Sequence, residues 1–154
     1  MATQADKYHI AMAGEYFVAA QLQRLKVSAA VTYGNAKSAD IIAFSDQSDR
    51  AVVIEVKSTQ QTSWVVGSRV PAKSKKPWVF VFLPKIETDW PRFFILTQTN
   101  LHDILEPLGL EYERKFKLKH NEEYGDRAGV VTVKRKDIES YENNWKIVLQ
   151  LLDT

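Results

Sequence analysis

Apolar side chains recur at helical spacing near the start of the chain. The positions that share this period are Ile10, Ala13, Phe17, Ala20 and Leu25. A period close to 3.6 residues is typical of a helix that packs one face on a core. We therefore predict a helix over residues 5–26, with Asp6 near its beginning.

Shorter β-prone runs follow this helix. We predict strands over residues 27–33, 39–45 and 51–58. Gly34-Asn35 ends the first of these strands, and the turn composition DQSD joins the second strand to the third. The chain therefore begins with a helix, and a meander of strands comes next.

Two strongly apolar runs lie in the middle of the chain. Residues 78–83 (WVFVFL) and 92–97 (RFFILT) each predict a strand, and the first is expected to be buried on both faces. Before them, residues 62–69 predict a fourth strand or part of an extended loop. The lysine-rich residues 71–77 are expected to be irregular.

A second helix is predicted to begin after these runs. It covers residues 99–105, with Thr99 or Asn100 as its cap, and Pro107 and Gly109 are expected to end it.

The last third of the chain is more polar. Residues 112–129 indicate a short helix or a surface excursion, and residues 130–133 a small strand. A C-terminal amphipathic helix is marked by Ile138, Tyr141, Trp145, Val148, Leu149 and Leu152. The order of elements predicts an α/β or α+β domain around one mixed sheet.

Length and composition narrow the class of protein. The 154 residues fit a single domain, 1–154, and the shares of apolar (45%) and charged (26%) residues are near the average for globular proteins. The sequence has no cysteine, which excludes a disulfide framework, a cysteine zinc site and thiol catalysis. We find no signal peptide and no run of roughly 20 apolar residues, so we expect a cytoplasmic protein that does not contact a membrane.

The charges are distributed unevenly. The net charge is only +2, too small to imply nucleic-acid binding by itself. Between Val56 and Ile86, however, there is no Asp or Glu, and the basic residues there are Lys57, Arg69, Lys73, Lys75, Lys76 and Lys85. This stretch predicts either a phosphate-binding surface or a solvated loop. The candidates for DNA contact are Arg69, Lys73, Lys75, Lys76 and, for base stacking, Trp64.

The hairpin formed by the second and third strands brings three charges together. If its turn is centred in DQSD, residues whose numbers sum to 95 lie opposite each other. Asp40 then faces Glu55, and Lys57 lies on the same face because side chains alternate along a strand. Both faces of the hairpin are otherwise apolar. We therefore expect central strands, with the charges at the end of a buried sheet.

Directly opposed carboxylates repel each other and need a compensating charge. Lys57 alone can supply it, which would make this a semi-buried ion cluster. A divalent cation held by Asp40 and Glu55, with the carbonyl of Val56 as a further oxygen donor, compensates better. Such a metal polarises a phosphate and activates water, while Lys57 positions that water or stabilises charge on the phosphorus oxygens.

A further carboxylate comes from the first helix. Glu15 follows Gly14, where the helix can approach the sheet closely. It would support the metal through water or bind a second ion. The alternative is an exposed glutamate on the surface of the helix.

These residues resemble the PD-(D/E)XK nuclease superfamily, which includes restriction enzymes and junction resolvases. The matching residues are Asp40, Glu55 with Lys57, and Glu15 in GEYFVAAQL. The resemblance covers about residues 5–60 and the WVFVFL strand, and it implies a restriction-endonuclease-like α-β-β-β-α-β core. We expect this core to span about residues 5–106 and a helical extension to span about 110–154. The resemblance also implies metal-dependent cleavage of DNA, and it suggests Gln60 as an accessory site residue.

The sequence departs from this family pattern at two places. Ala39, instead of proline, precedes Asp40. The stretch that follows Lys57, STQQTSWVVGSR, does not have the pattern of the expected helix, so the topology after Ser58 is open.

The sequence thus predicts a Mg²⁺-dependent DNA endonuclease, with Mn²⁺ expected to substitute. The alternative is a catalytically inactive nuclease-fold protein that binds nucleic acid or protein. A homodimer is expected, because small nucleases often use two active sites to cut two strands.

Overall fold

The computed structural model describes residues 2–32, 39–125 and 129–153. Its helices and strands are α1 (Gln4–Arg24), β1 (Ser28–Val31), β2 (Ile41–Phe44), β3 (Ala51–Thr59), β4 (Ser63–Gly67), β5 (Pro77–Phe82), β6 (Arg92–Thr97), α2 (Gln98–His120), β7 (Val131–Lys134), α3 (Arg135–Ile138) and α4 (Lys146–Asp153). The turn residues Gly34 and Asn35 lie outside the described ranges.

Helix α1 begins at a capping box. The Asp6 backbone N–H donates to Thr3 Oγ1 at 3.1 Å, and the Thr3 backbone N–H donates to Asp6 Oδ2 at 2.8 Å. Two of the N–H groups that every helix leaves unpaired at its start are satisfied in this way. The predicted first helix is confirmed.

Five strands form one mixed sheet in the order β1-β2-β3-β5-β6. β3 and β5 run parallel, and the other neighbours are antiparallel. β4 pairs with β7 in a separate two-stranded sheet. The fold is therefore mixed α+β, with a central mixed sheet flanked by helices, which confirms the predicted class.

The connection between β3 and β5 differs from the order that the resemblance implied. All of its residues, 60–76, are described, and they contain strand β4 instead of a helix. The segment alternates buried Trp64 and Val66 with more exposed neighbours, which is the period of a strand. Its pairing with β7 satisfies the backbone groups that a crossover helix would satisfy internally.

Each face of the central sheet packs against a different layer. On one face, Val18 and Leu22 of α1 and Val148 and Leu152 of α4 pack on the sheet in one core cluster. On the other face, a second cluster joins β5 and β6 to β4, β7 and the start of α2. The sheet is therefore sandwiched between helices and a small second sheet.

This second layer leaves part of the sheet uncovered. Phe44 of β2 and Val53 of β3, which share a face with Glu55, are 41% and 42% exposed. The expectation that both faces of the hairpin are buried is wrong here, because β4 and β7 pack over β5 and β6. On the opposite face, Ile41 and Ile54 are fully buried.

Helix α2 is much longer than predicted. It runs through Pro107 and Gly109 to His120, and its cap is Thr97, whose Oγ1 accepts from the Asn100 backbone N–H at 3.0 Å. Pro107 lies on an exposed part of the helix, where water can satisfy the carbonyl that a proline leaves unpaired. The helix ends at Asn121 in the left-handed conformation (φ 54°).

The C-terminal segment is broken where one helix was predicted. A 3₁₀ turn, Glu139–Tyr141, separates α3 from α4. Asn143 takes a positive φ of 56°, and its backbone N–H donates to the Phe93 carbonyl at 2.9 Å, so it ties this turn to β6 instead of continuing a helix. Among the described helices, none is both long and apolar enough to cross a membrane.

Candidate carboxylate and lysine site

The predicted register of the hairpin is confirmed. Ile42 pairs with Val53 and Phe44 with Ala51, so paired numbers sum to 95. Asp40 lies just before β2 and is held to β3 by two hydrogen bonds. Its backbone N–H donates to the Ile54 carbonyl at 3.0 Å, and its Oδ2 accepts from the Val56 N–H at 2.8 Å.

The Asp40 carboxylate lies in an environment that disfavours its charge. Burial raises its pKa, and the negative charge of Glu55 raises it further. The hydrogen bond from Val56 and the positive charges of Lys57 and Lys76 act in the opposite direction but do not cancel the rise. A cation placed beside Asp40 would therefore relieve an existing electrostatic cost.

Glu15 joins this carboxylate from the first helix. A Cβ placed on Gly14 would come within 2.8 Å of the Ser58 Cβ, so only glycine allows α1 to lie this close to β3. The Glu15 side chain is consequently half-buried and close enough to Asp40 for the two carboxyl groups to interact. Burial first, and the charge of Asp40 second, raise the pKa of Glu15 to about 7.

The third carboxylate, Glu55, is held by two lysines. Lys76 Nζ lies 2.9 Å from its Oε2, and Lys57 Nζ lies 3.9 Å from its Oε1. Lys57 also lies 5.9 Å from the ring centroid of Trp78. Glu15, Asp40 and Glu55 form what we call the carboxylate cluster, since Glu55 adds to the repulsion felt by both other carboxylates.

Lys76 reaches Glu55 because the segment before β5 is fastened to the start of α2. We call this segment, residues 71–76, the lysine loop. The Gln98 backbone N–H donates to the Lys76 carbonyl at 2.8 Å, and the Gln98 side chain donates to the Ala72 carbonyl at 2.8 Å. Thr99 exchanges further hydrogen bonds with Ser74. The loop is irregular, as predicted, but well anchored.

Sequence reasoning placed Lys76 among the DNA contacts and missed its place beside Glu55. The position of Lys76 follows from the parallel pairing of β3 with β5, in which Trp78 lies beside Glu55. Lys76 precedes Trp78 by two residues and therefore lies on the same side of the strand. Nothing local in the sequence specifies that pairing.

The donor chemistry of the carboxylate cluster fits a hard divalent cation such as Mg²⁺ or Mn²⁺. Asp40, Glu55 and Glu15 offer carboxylate oxygens, and β3 adds the backbone carbonyl of Val56. Within the described residues, however, no three acidic or histidine side chains are arranged to hold an ion as they stand. A cation would have to take Glu55 from Lys76.

Two other predicted residues lie away from this cluster. Gln60 follows the end of β3, and at the rise of a strand it is about 16 Å beyond Glu55. The proposed DNA contact by Trp64 is wrong. Its side chain is only 2% exposed, packs on Phe80 and Phe94, and donates from Nε1 to the Val81 carbonyl at 3.0 Å. Because β4 and β7 pack together over β5 and β6, the side chain of Trp64 lies between the two sheets.

The remaining basic candidates are on the surface. Arg69 and Lys75 are exposed, and Lys73 Nζ lies 3.5 Å from Asp103 Oδ1 in an exposed ion pair. These side chains are accessible to a phosphate, and their role stays a prediction.

Comparisons with known proteins give little beyond this geometry. No protein-family model matches the sequence, and no curated protein is significantly similar to it. One similar solved structure is that of a bacterial homing endonuclease, I-Ssp6803I, at 15% sequence identity and a TM-score of 0.49, covering 97% of this chain and 94% of that one. A likeness this low supports no conclusion about activity, so function has to be argued from the site. Membership of the PD-(D/E)XK superfamily stays a prediction.

Proposed function

We propose that this protein is a divalent-metal-dependent nuclease that hydrolyses phosphodiester bonds of DNA. The observation that supports it is the carboxylate cluster itself. Three half-buried carboxylates, on α1, just before β2 and on β3, are close enough for Asp40 and Glu55 to help raise the pKa of Glu15 to about 7. Groups perturbed in this way by burial and like charge are typical of functional sites.

In this proposal, Asp40, Glu55 and the Val56 carbonyl hold the metal, and Glu15 supports it. When bound, the metal supplies Lewis-acid polarisation of the phosphate and lowers the pKa of a water molecule. Lys57, on the same face as Glu55, orients the attacking water or stabilises negative charge on the phosphate oxygens. The Glu15 carboxyl, when protonated, carries no charge and so limits the repulsion between its side chain and that of Asp40.

DNA is the proposed substrate, with the exposed Arg69, Lys73 and Lys75 as phosphate contacts. Mn²⁺ is expected to replace Mg²⁺. A homodimer remains part of the proposal, and sedimentation equilibrium with and without DNA tests it.

Metal binding is tested by titration calorimetry with Mn²⁺. We expect the wild type to bind at millimolar metal or better and Glu55→Ala to lose that binding. Glu87→Ala, which removes an exposed carboxylate outside the cluster, is the matched control and should bind as the wild type does. Absence of binding in the wild type, or equal binding in Glu55→Ala, would contradict the proposal.

Catalysis is tested by nicking of supercoiled plasmid in Mg²⁺. Lys57→Ala should lose at least about a hundredfold in rate, the loss typical for a charge-stabilising group at the reacting phosphate. Lys85→Ala, at an exposed lysine outside the cluster, should cut normally. Equal residual nicking by wild type and Lys57→Ala would indicate contamination. A labelled RNA of the same sequence, tested in parallel, separates DNA from RNA as substrate.

The second candidate is a binding module without catalysis. The ion pair of Lys76 with Glu55 favours it, because that pair already neutralises a carboxylate without any metal. DNA binding that persists in EDTA, together with no Mn²⁺ binding and no nicking, would support this alternative.

A further inference from the structure

Lys76 and Lys57 reach Glu55 from different strands of the central sheet. Lys76 lies on the loop that leads into β5, the strand beside β3, and this loop is hydrogen-bonded to α2. The Nζ of Lys76 lies 2.9 Å from Glu55 Oε2. Lys57 is 1.0 Å farther from the same carboxylate, at 3.9 Å, and is more exposed, at 33% against 21% for Lys76.

The backbone on both sides of Lys76 is fixed. Its own N–H donates to Ser74 Oγ at 3.1 Å, its carbonyl accepts from the Gln98 N–H at 2.8 Å, and the next residue is the buried Pro77. Much of the entropy needed to hold a lysine against a carboxylate has therefore been lost on folding already. Such a pair is stronger than the usual pair of two flexible surface side chains.

The oxygen that Lys76 holds is one that a metal needs. Glu55 is 18% exposed and has two oxygens, of which Oε2 is taken by Lys76 and Oε1 faces Lys57. An ammonium at this distance neutralises much of the carboxylate's charge and repels a divalent cation that approaches the same group.

We propose that Lys76 is a built-in competitor for the metal. It neutralises Glu55 when no cation is bound, and its charge opposes the binding of a divalent cation to that carboxylate. This inference rests on the proposed function, since it assigns Glu55 to a metal site. It goes beyond that function by making the metal affinity depend on a residue that is not a ligand.

The test is Mn²⁺ calorimetry on wild type, Lys76→Met and Lys75→Met. Removing the competitor should tighten Mn²⁺ binding by on the order of tenfold in Lys76→Met. Lys75→Met removes the same charge from an exposed neighbour in the same loop and should change the affinity by less than about twofold. Lys76→Arg keeps the charge and should bind as weakly as the wild type.

The possible outcomes separate the two proposals. Equal affinity in wild type and Lys76→Met, or equal tightening in Lys75→Met and Lys76→Met, overturns the competitor role and leaves the metal site standing. Tighter binding by Lys76→Met than by both wild type and Lys75→Met supports the competitor role. If no variant binds Mn²⁺, the metal site itself is wrong, and the competitor role falls with it. Thermal unfolding of each variant checks that it is folded, and Lys76→Gln replaces Lys76→Met if the latter is not.

Discussion

Glu15→Gln should change how the stability of the protein depends on pH. In the folded chain, the pKa of Glu15 is raised from 4.5 to about 7, first by burial and then by the charge of Asp40. The folded state therefore holds a proton that the unfolded state releases. The stabilisation is complete below about pH 4.5, declines as pH rises toward 7, and is lost above it. Glutamine resembles the protonated form at every pH, so the variant should not show this decline.

The size of the effect follows from the shift. A rise from 4.5 to about 7 corresponds to about 3.4 kcal/mol if all of it is expressed in stability. Glu15 is only partly buried, so solvent screens its interaction with Asp40. We therefore expect the wild type to lose about 1–2 kcal/mol relative to Glu15→Gln between about pH 5 and pH 8.

Urea unfolding at several pH values in EDTA measures this difference. Glu113→Gln, at an exposed glutamate of α2, is the matched control and should follow the wild type. Parallel stability curves for wild type and Glu15→Gln would refute the reasoning, because Glu15 would then titrate alike in the folded and unfolded states. Adding Mg²⁺ at about pH 8 should stabilise the wild type more than the variant, since a bound cation offsets the repulsion.

Three further predictions concern the framework. Gly14→Ala should destabilise the fold by about 2 kcal/mol in urea unfolding, because its Cβ meets Ser58, and Ser58→Gly in the same chain should restore part of the loss. Trp64→Ala should lower the free energy of unfolding by about 3–5 kcal/mol in urea, because the side chain is buried in the core. If the variant lost DNA binding but no stability, Trp64 would not be a core residue. Glu142 accepts two hydrogen bonds from Arg92, both at 2.8 Å. Glu142→Gln should therefore lower the free energy of unfolding by about 1 kcal/mol and remove the dependence of this contribution on salt. An unchanged urea midpoint in low salt would show that the pair contributes nothing.

The parts of the site that lie close together in sequence could be predicted. A turn composition and two apolar runs were enough to set the register of β2 and β3, and therefore to bring Asp40, which lies just before β2, next to β3. Register is strongly specified by such a pattern, because a slip by one residue exchanges the two faces. Gly14 likewise pointed correctly to the close approach of α1.

The parts that depend on distant pairing could not be predicted. Lys76 reaches Glu55 only through the parallel β3–β5 pair, and Trp64 is buried only because β4 pairs with β7, about 70 residues later in the chain. Helix α2 continues past Pro107 although a proline inside a helix removes one backbone hydrogen bond, so the local signal for a helix end was misleading. These outcomes depend on tertiary surroundings that the local pattern does not contain.

The parallel pairing of β3 with β5 also sets the order in which the site forms during folding. Asp40 and Glu55 lie on one hairpin and can meet early, since closing a short loop is fast. Lys76 reaches Glu55 only after the 60–76 connection is closed, and contacts of greater sequence separation form more slowly. The hairpin that carries Asp40 and Glu55 can therefore close without Lys76, whereas the contact of Lys76 with Glu55 requires β5 to be in place beside β3.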